Sequence, residues 1–267
     1  MPIQLPQRIP LRRGIQVLSA LKYVAFPALP VASYFMLHGL GLVVVALVCL
    51  ALHAAVRAWE TSLRRRFIRE ATFPRFLGAK LLEHYPQLKA RDVELVLHGL
   101  RQFFIAYLRS QRKFVAMPSK VVDTAWHEFI LHTRAYQAWC DNAFGNLLHH
   151  TPAEVLGRDP KRNDGLRRTW YWACKEESID PRKPGRLPLL FALDKKFGIA
   201  GGYSYVPDCS DINRQAGSDT YCGTSFSDGG GGGGATGDAD GFGGSESSAD
   251  GGGGGDGGGC GGGCGGS

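Results

Sequence analysis

Four of the chain's eight histidines fall in one string, MPSKVVDTAWHEFILHTRAYQAWCDNAFGNLLHHTP, between Met117 and Pro152. His127, His132, His149 and His150 share it with Asp123 and Cys140. Imidazole, thiolate and carboxylate are the ordinary ligands of a zinc-like divalent metal. Imidazole is also the side chain best suited to proton transfer near neutral pH. Spacing has to decide which of these groups can act together.

Pro118-Ser119 is a helix-opening signal and Gly145 a natural stop, so the spacing predicts one helix from about Lys120 to Phe144. At 100° per residue, His127 and His132 stand about 140° apart on it, as do His127 and Cys140. The apolar stripe comprises Val122, Ala125, Trp126, Phe129, Tyr136, Cys140, Ala143 and Phe144. Cys140 therefore faces the core, and no single ion can take His127, His132 and Cys140 together. Zinc-finger spacing is absent, and so is H-E-x-x-H, since Phe129, Ile130 and Leu131 follow His127-Glu128.

A narrower site is consistent with the spacing. Asp123 and His127, four residues apart, share a helix face, so the carboxylate can fix the imidazole's tautomer. His149 and His150 follow the Gly145 turn and can fold back beside that helix. His127, His149 and His150 then make three metal ligands with an open fourth position, the arrangement of catalytic zinc. Two other readings use the same residues. Asp123–His127 can be a structural pair with His149-His150 capping a helix end, or the group can do acid–base chemistry without a metal.

The string VDTAWHEFILHTRAYQAWC, then FGNLLHHTP, then RLPLLFALDKKFGIAGGYSY and a glycine tail, resembles the bacterial glycine-rich domain-containing proteins. It is more distantly similar to the plant proteins of that name, which share a V-D-x-x-W-H core. The resemblance spans roughly residues 85–226 and implies no particular biochemical activity.

The elements that must carry these residues begin with a membrane anchor. Between Arg13 and Arg57 the one charged residue is Lys22, and Val31 to Val56 is an uncharged run rich in Val, Leu and Ala. About 20 apolar residues cross a bilayer core. Residues 23–57 are read as the membrane segment, either a hairpin with short arms that meet near His38-Gly39 or a single span from Val31. A cleaved signal peptide is the competing reading, which Lys22 interrupts. Arg8, Arg12, Arg13 and Lys22 lie before the segment, and Arg57, Arg64, Arg65, Arg66 and Arg69 after it. Basic residues on both flanks favour the hairpin with both ends cytoplasmic, at the inner membrane of a bacterium. They also suit anionic lipid. Nucleic acid is disfavoured because no recognition motif accompanies the charge.

Residues 1–22 form a basic N-terminal segment, and residues 58–226 read as an all-α domain of five or six helices. Val93, Val96, Leu97, Leu100, Phe103, Phe104, Tyr107 and Leu108 give the three- and four-residue steps of one helix, and Asp164 to Glu177 reads as another. Tyr203 to Val206 alone suggests a strand. Residues 227–267 hold 23 glycines and six acidic residues without Lys or Arg, so the +7 of the whole chain leaves +13 on the rest. Such a tail builds no core and is expected to be disordered. It ends in Cys260-Gly-Gly-Gly-Cys264, two thiols suited to a soft metal, a disulfide or modification. The odd set of Cys49, Cys140, Cys174, Cys209 and Cys222 is no disulfide framework. A cytoplasmic domain keeps thiols reduced, although Cys209 and Cys222 sit where they could pair.

The expectation is a membrane-anchored binding or scaffold module, mainly α, meeting the lipid membrane and a protein partner. A membrane-bound metal-dependent hydrolase or processing enzyme is the rival. No G-x-S-x-G, Walker or kinase signature supports an enzyme.

Overall fold

A computed structural model describes residues 12–20, 40–151, 160–208 and 220–226. The first arm of the expected hairpin, the glycine tail and Cys209, Cys260 and Cys264 lie outside these residues. What is described is mainly helical. The helices are α1 (residues 12–20), α2 (Leu40–Glu70), α3 (Arg75–His84), α4 (Ala90–Arg109), α5 (Lys120–Leu131), α6 (Thr133–Ala143), α7 (Pro160–Glu176) and α8 (Leu189–Lys196). Two short strands, β1 (Ser204–Val206) and β2 (Thr220–Cys222), pair in parallel, Tyr205 opposite Tyr221.

Among the described residues α2 is the one helix long and apolar enough to cross a membrane. In its N-terminal half Val43, Val44, Leu47, Val48, Leu50 and Leu52 are each more than half exposed, while Cys49 is buried. Its C-terminal half behaves oppositely. Glu60, Arg64, Phe67 and Ile68 are buried against the domain. One continuous helix thus joins the apolar segment to the helical body. Helix α1 lies along that lower half, with Ile15 and Leu18 buried, Gly14 against Leu63 and Arg12 over the Phe67 ring. The order of those two contacts, 12 with 67 and 14 with 63, makes α1 antiparallel to α2.

Helix α4 is the axis of the core, packed on α2, α3, α5, α7 and α8. Its apolar residues run round most of the helix, so Val96, Leu100, Phe103 and Phe104 are fully buried. Phe73, Phe104, Phe129, Trp139 and Phe144 close an aromatic cluster beside it, with Phe104 and Trp139 centroids 4.6 Å apart. Gly99 lets α4 approach α8 and α5 closely, because a Cβ there would meet Leu193 Cδ1 at 2.6 Å.

The long helix expected from Lys120 to Phe144 is two helices. The backbone leaves helical geometry at His132 (φ −92°, ψ 62°), whose ring stacks on Phe76 while Nδ1 lies 3.1 Å from the Glu128 carbonyl. The break re-aims α6 so that Tyr136, Trp139, Cys140 and Ala143 all enter the core. An angular count carried across residue 132 is therefore invalid, although Cys140 is buried as expected. Cys49, Cys140 and Cys174 are free thiols, whereas Cys222 takes part in a disulfide, the state left open for it and not the reduced one expected of a cytoplasmic domain.

Candidate metal centre

The site is built on the outer face of α5, and a buried carboxylate fixes that helix. Asp194 of α8, 3% exposed, accepts hydrogen bonds at the α5 N-terminus from Ser119 Oγ (2.7 Å), Lys120 N (2.7 Å) and Val121 N (3.1 Å). It also accepts from Tyr203 N at 2.9 Å. Ser119 Oγ in turn accepts from Val122 N. The first amides of α5, which no intrahelical carbonyl can reach, are thus satisfied, and an anion sits at the positive end of the helix dipole.

The second half of the site is the segment after α6. Gly145 turns the chain at φ +81°, a left-handed conformation that glycine adopts without strain. Arg64 lies against this turn, donating from Nη1 to the carbonyls of Asp141 and Asn142. Tyr136 then ties the segment down: its hydroxyl accepts from Trp126 Nε1 (3.0 Å) and donates to the Leu148 carbonyl (2.5 Å). Burial pushes the Tyr136 hydroxyl far above its usual range, so it stays a donor. Two residues beyond Leu148, His150 lands over α5 with its ring edge-on to Trp126.

Asp123, His127 and His150 meet there, their nearest ligand atoms all within 4.8 Å of one another. Asp123 Oδ1 lies 3.0 Å from His150 Nε2, and Oδ2 lies 3.8 Å from His127 Nδ1. The two imidazole centroids are 4.3 Å apart. Asp123 thus bridges both rings, and its short bond goes to His150 and not to its helix neighbour His127. His149 is exposed on the wall of the adjoining cavity and is not in the cluster. His132 is held at the α5–α6 break against Phe76.

The cavity beside the cluster measures about 600 Å³, with Tyr107, Arg112, Phe114, Trp126, Asn146 and Tyr203 among its walls. Two imidazoles and a carboxylate on one side of such a space are a donor set for a divalent cation of the zinc type. Ligand atoms about 2 Å from a tetrahedral ion stand roughly 3.3 Å apart, so from a spread of up to 4.8 Å a shift of about 1.5 Å closes the set. Sequence reasoning missed Asp194 and the Trp126–Tyr136–Leu148 relay. Neither has a local signature, because each partner lies on a different element.

Fold and cluster together define a helical domain with an Asp–His–His site, fused to a membrane-length apolar helix. The chain belongs to the UCP032817-like family, whose model matches residues 63–226, and that family is uncharacterised. The matched span holds the whole Asp–His–His cluster and starts beyond the apolar half of α2. This match corrects the resemblance to glycine-rich domain-containing proteins, for nothing shows membership of that family. No curated protein and no solved structure matches the chain.

Proposed function

We propose that this protein is a membrane-anchored binding module whose helical domain holds a divalent metal ion through Asp123, His127 and His150. The observation that carries the reading is the convergence of three potential ligand atoms, one of them from His150, 23 residues beyond His127 and on a separate segment, on the rim of one cavity. A single Asp–His pair on a helix is common and needs no ligand. A second imidazole fixed on the same carboxylate by a separate buried relay is harder to explain as packing. Titration of the full-length protein in detergent with zinc against a chromogenic chelator tests it. One ion per chain is expected, with His127→Ala and His150→Ala abolishing it. Asp123→Asn should weaken it by at least the 10- to 100-fold of losing an orienting partner. His149→Ala and His132→Ala should leave it intact. A wild-type chain that binds no stoichiometric ion overturns the proposal.

A metal-dependent hydrolase is the second reading, favoured by a set of three ligands, which would leave a bound ion a position for water or substrate, beside a cavity large enough for a small molecule. Zinc-dependent turnover of simple ester, peptide or phosphoester substrates, lost with His127→Ala, would support it over pure binding.

Anchoring rests on the exposed apolar half of α2, which water solvates poorly and lipid solvates well. The hairpin is supported by α1, which lies antiparallel beside Leu63 and Phe67 although residue 40 stands at the far end of α2. Residues 20 and 40 therefore stand at opposite ends of the apolar segment, about 25 Å apart at 1.5 Å per residue. The arginines after Val56 support a cytoplasmic domain, in a bacterium at the inner membrane. The disulfide at Cys222 opposes that side, since reducing compartments seldom keep one.

A further inference from the structure

Four arginines converge where α2 leaves its apolar stretch. Arg57 and Arg65 of α2 meet Arg109, at the end of α4, and Arg112, in the turn after it, around a cavity of about 660 Å³. The one acid on its wall, Glu60, already receives Arg64 Nε and Nη2 on Oε1. Arg109 Cζ lies over the Trp172 ring, 3.9 Å from its centroid, which holds the guanidinium in place. The nearest carboxylate, Glu176, stands 4.0 Å from Arg109 and is bonded to Arg69 on its other oxygen. Burial first, and then the field of Arg65, lower the pKa of Arg109, so the two cations share one neighbourhood. Gln111 and Arg112 both take positive φ, 55° and 64°, a pair of left-handed non-glycine residues that costs stability.

Positive-inside topology explains arginines on α2. It does not explain why α4, an element 40 residues later, ends in a strained turn that adds two more to the same cavity. Guanidiniums that converge on one cavity offer planar forks that grip an anion with several oxygens in pairs. The position narrows the source. Arg57 is the first charged residue after the apolar stretch, and Arg65 is two turns further, about 12 Å along the axis. The polar layer of a bilayer is about 5–8 Å deep on each side, so the Arg57 end of the cavity falls inside it and the Arg65 end just beyond. Trp59, 62% exposed, marks the same level in the manner of interfacial aromatics.

We propose that this juxtamembrane cavity binds a phosphate group, supplied by the headgroup of an anionic phospholipid. The lipid source rests on α2 being a membrane helix; the phosphate chemistry does not. Full-length protein in detergent micelles is titrated with short-chain phosphatidic acid and, separately, with inorganic phosphate, and thermal stabilisation is read. Saturable stabilisation by phosphatidic acid is expected, at concentrations at least about 10-fold below those phosphate requires. Arg109→Gln and the exposed Arg112→Gln should each weaken it about 10-fold, whereas Arg66→Gln, which bonds Glu70 outside the cavity, should not. Circular dichroism confirms that each variant is folded. Equal affinity for the two ligands supports the phosphate site and overturns its lipid source. No saturable binding of either, or the same loss with Arg66→Gln, overturns the proposal. Alkaline carbonate extraction of cell membranes reads the anchor independently, so release of the chain refutes the membrane reading without touching the micelle titration.

Discussion

Replacing Asp194 with alanine removes the acceptor of four hydrogen bonds at the start of the site helix. Two of the donors, Ser119 and Val121, are almost fully buried, so water cannot take over their bonds. The donors at Lys120 and Tyr203 are less enclosed and can be rehydrated. A hydrogen bond to a charged group contributes about 1.5–3 kcal/mol. Two dry ones therefore set the loss at roughly 3–5 kcal/mol after partial relaxation. Asparagine keeps one oxygen, enough for Ser119 and Val121, and turns its amide toward the other two donors. Asp194→Asn should then cost about 1–2 kcal/mol. Guanidinium unfolding of full-length protein in detergent, followed by circular dichroism, measures both. Because α5 carries Asp123 and His127, the alanine variant should also bind metal more weakly. A loss under about 1 kcal/mol for Asp194→Ala, or equal losses for both variants, would refute this account of how α5 is held.

Gly99→Ala should destabilise by about 1–2 kcal/mol, since clashes at 2.6 and 3.1 Å with Leu193 and Val122 outweigh alanine's better helix propensity; unchanged or increased stability in the same unfolding assay would contradict this. Burial lifts the thiols of Cys140 and Cys174 to about 11 and about 12. The folded state thus holds protons that unfolded thiols release near about pH 8.5. Their contribution to stability is complete below that pH and lost as pH rises toward 11–12, a slope that the double Cys→Ala chain should lack, and maleimide should label neither at pH 8 without denaturant. Reporter fusions at Met1 and Ser267 should give the same compartment, and opposite compartments would remove the hairpin.

The long apolar helix and the core were legible because each is a one-dimensional pattern. An unbroken apolar run announces α2, and the steps from Val93 to Leu108 announce α4 and its buried face. The break at His132 was not legible, since Lys120 to Phe144 contains neither proline nor glycine. It arises from tertiary contacts, the Phe76 stack and the aromatic seat that α6 takes beside α4. At the site, the four-residue step from Asp123 to His127 placed them on one face. Which of His149 and His150 turned inward depended on the Tyr136–Leu148 bond, and a residue-by-residue reading cannot choose between neighbours in a non-helical segment. The arginine cavity was half visible: the α2 cluster stands out, whereas Arg109 and Arg112 join it only through packing.

X-ray absorption at the zinc edge of the reconstituted full-length protein addresses the metal centre itself. The account predicts one zinc per chain with a first shell of nitrogen and oxygen only, multiple scattering that counts two imidazoles, and loss of one imidazole in His150→Ala. A first shell containing sulfur would assign the ion to Cys260 and Cys264 instead, and a spectrum unchanged by His150→Ala would contradict the Asp123–His127–His150 site.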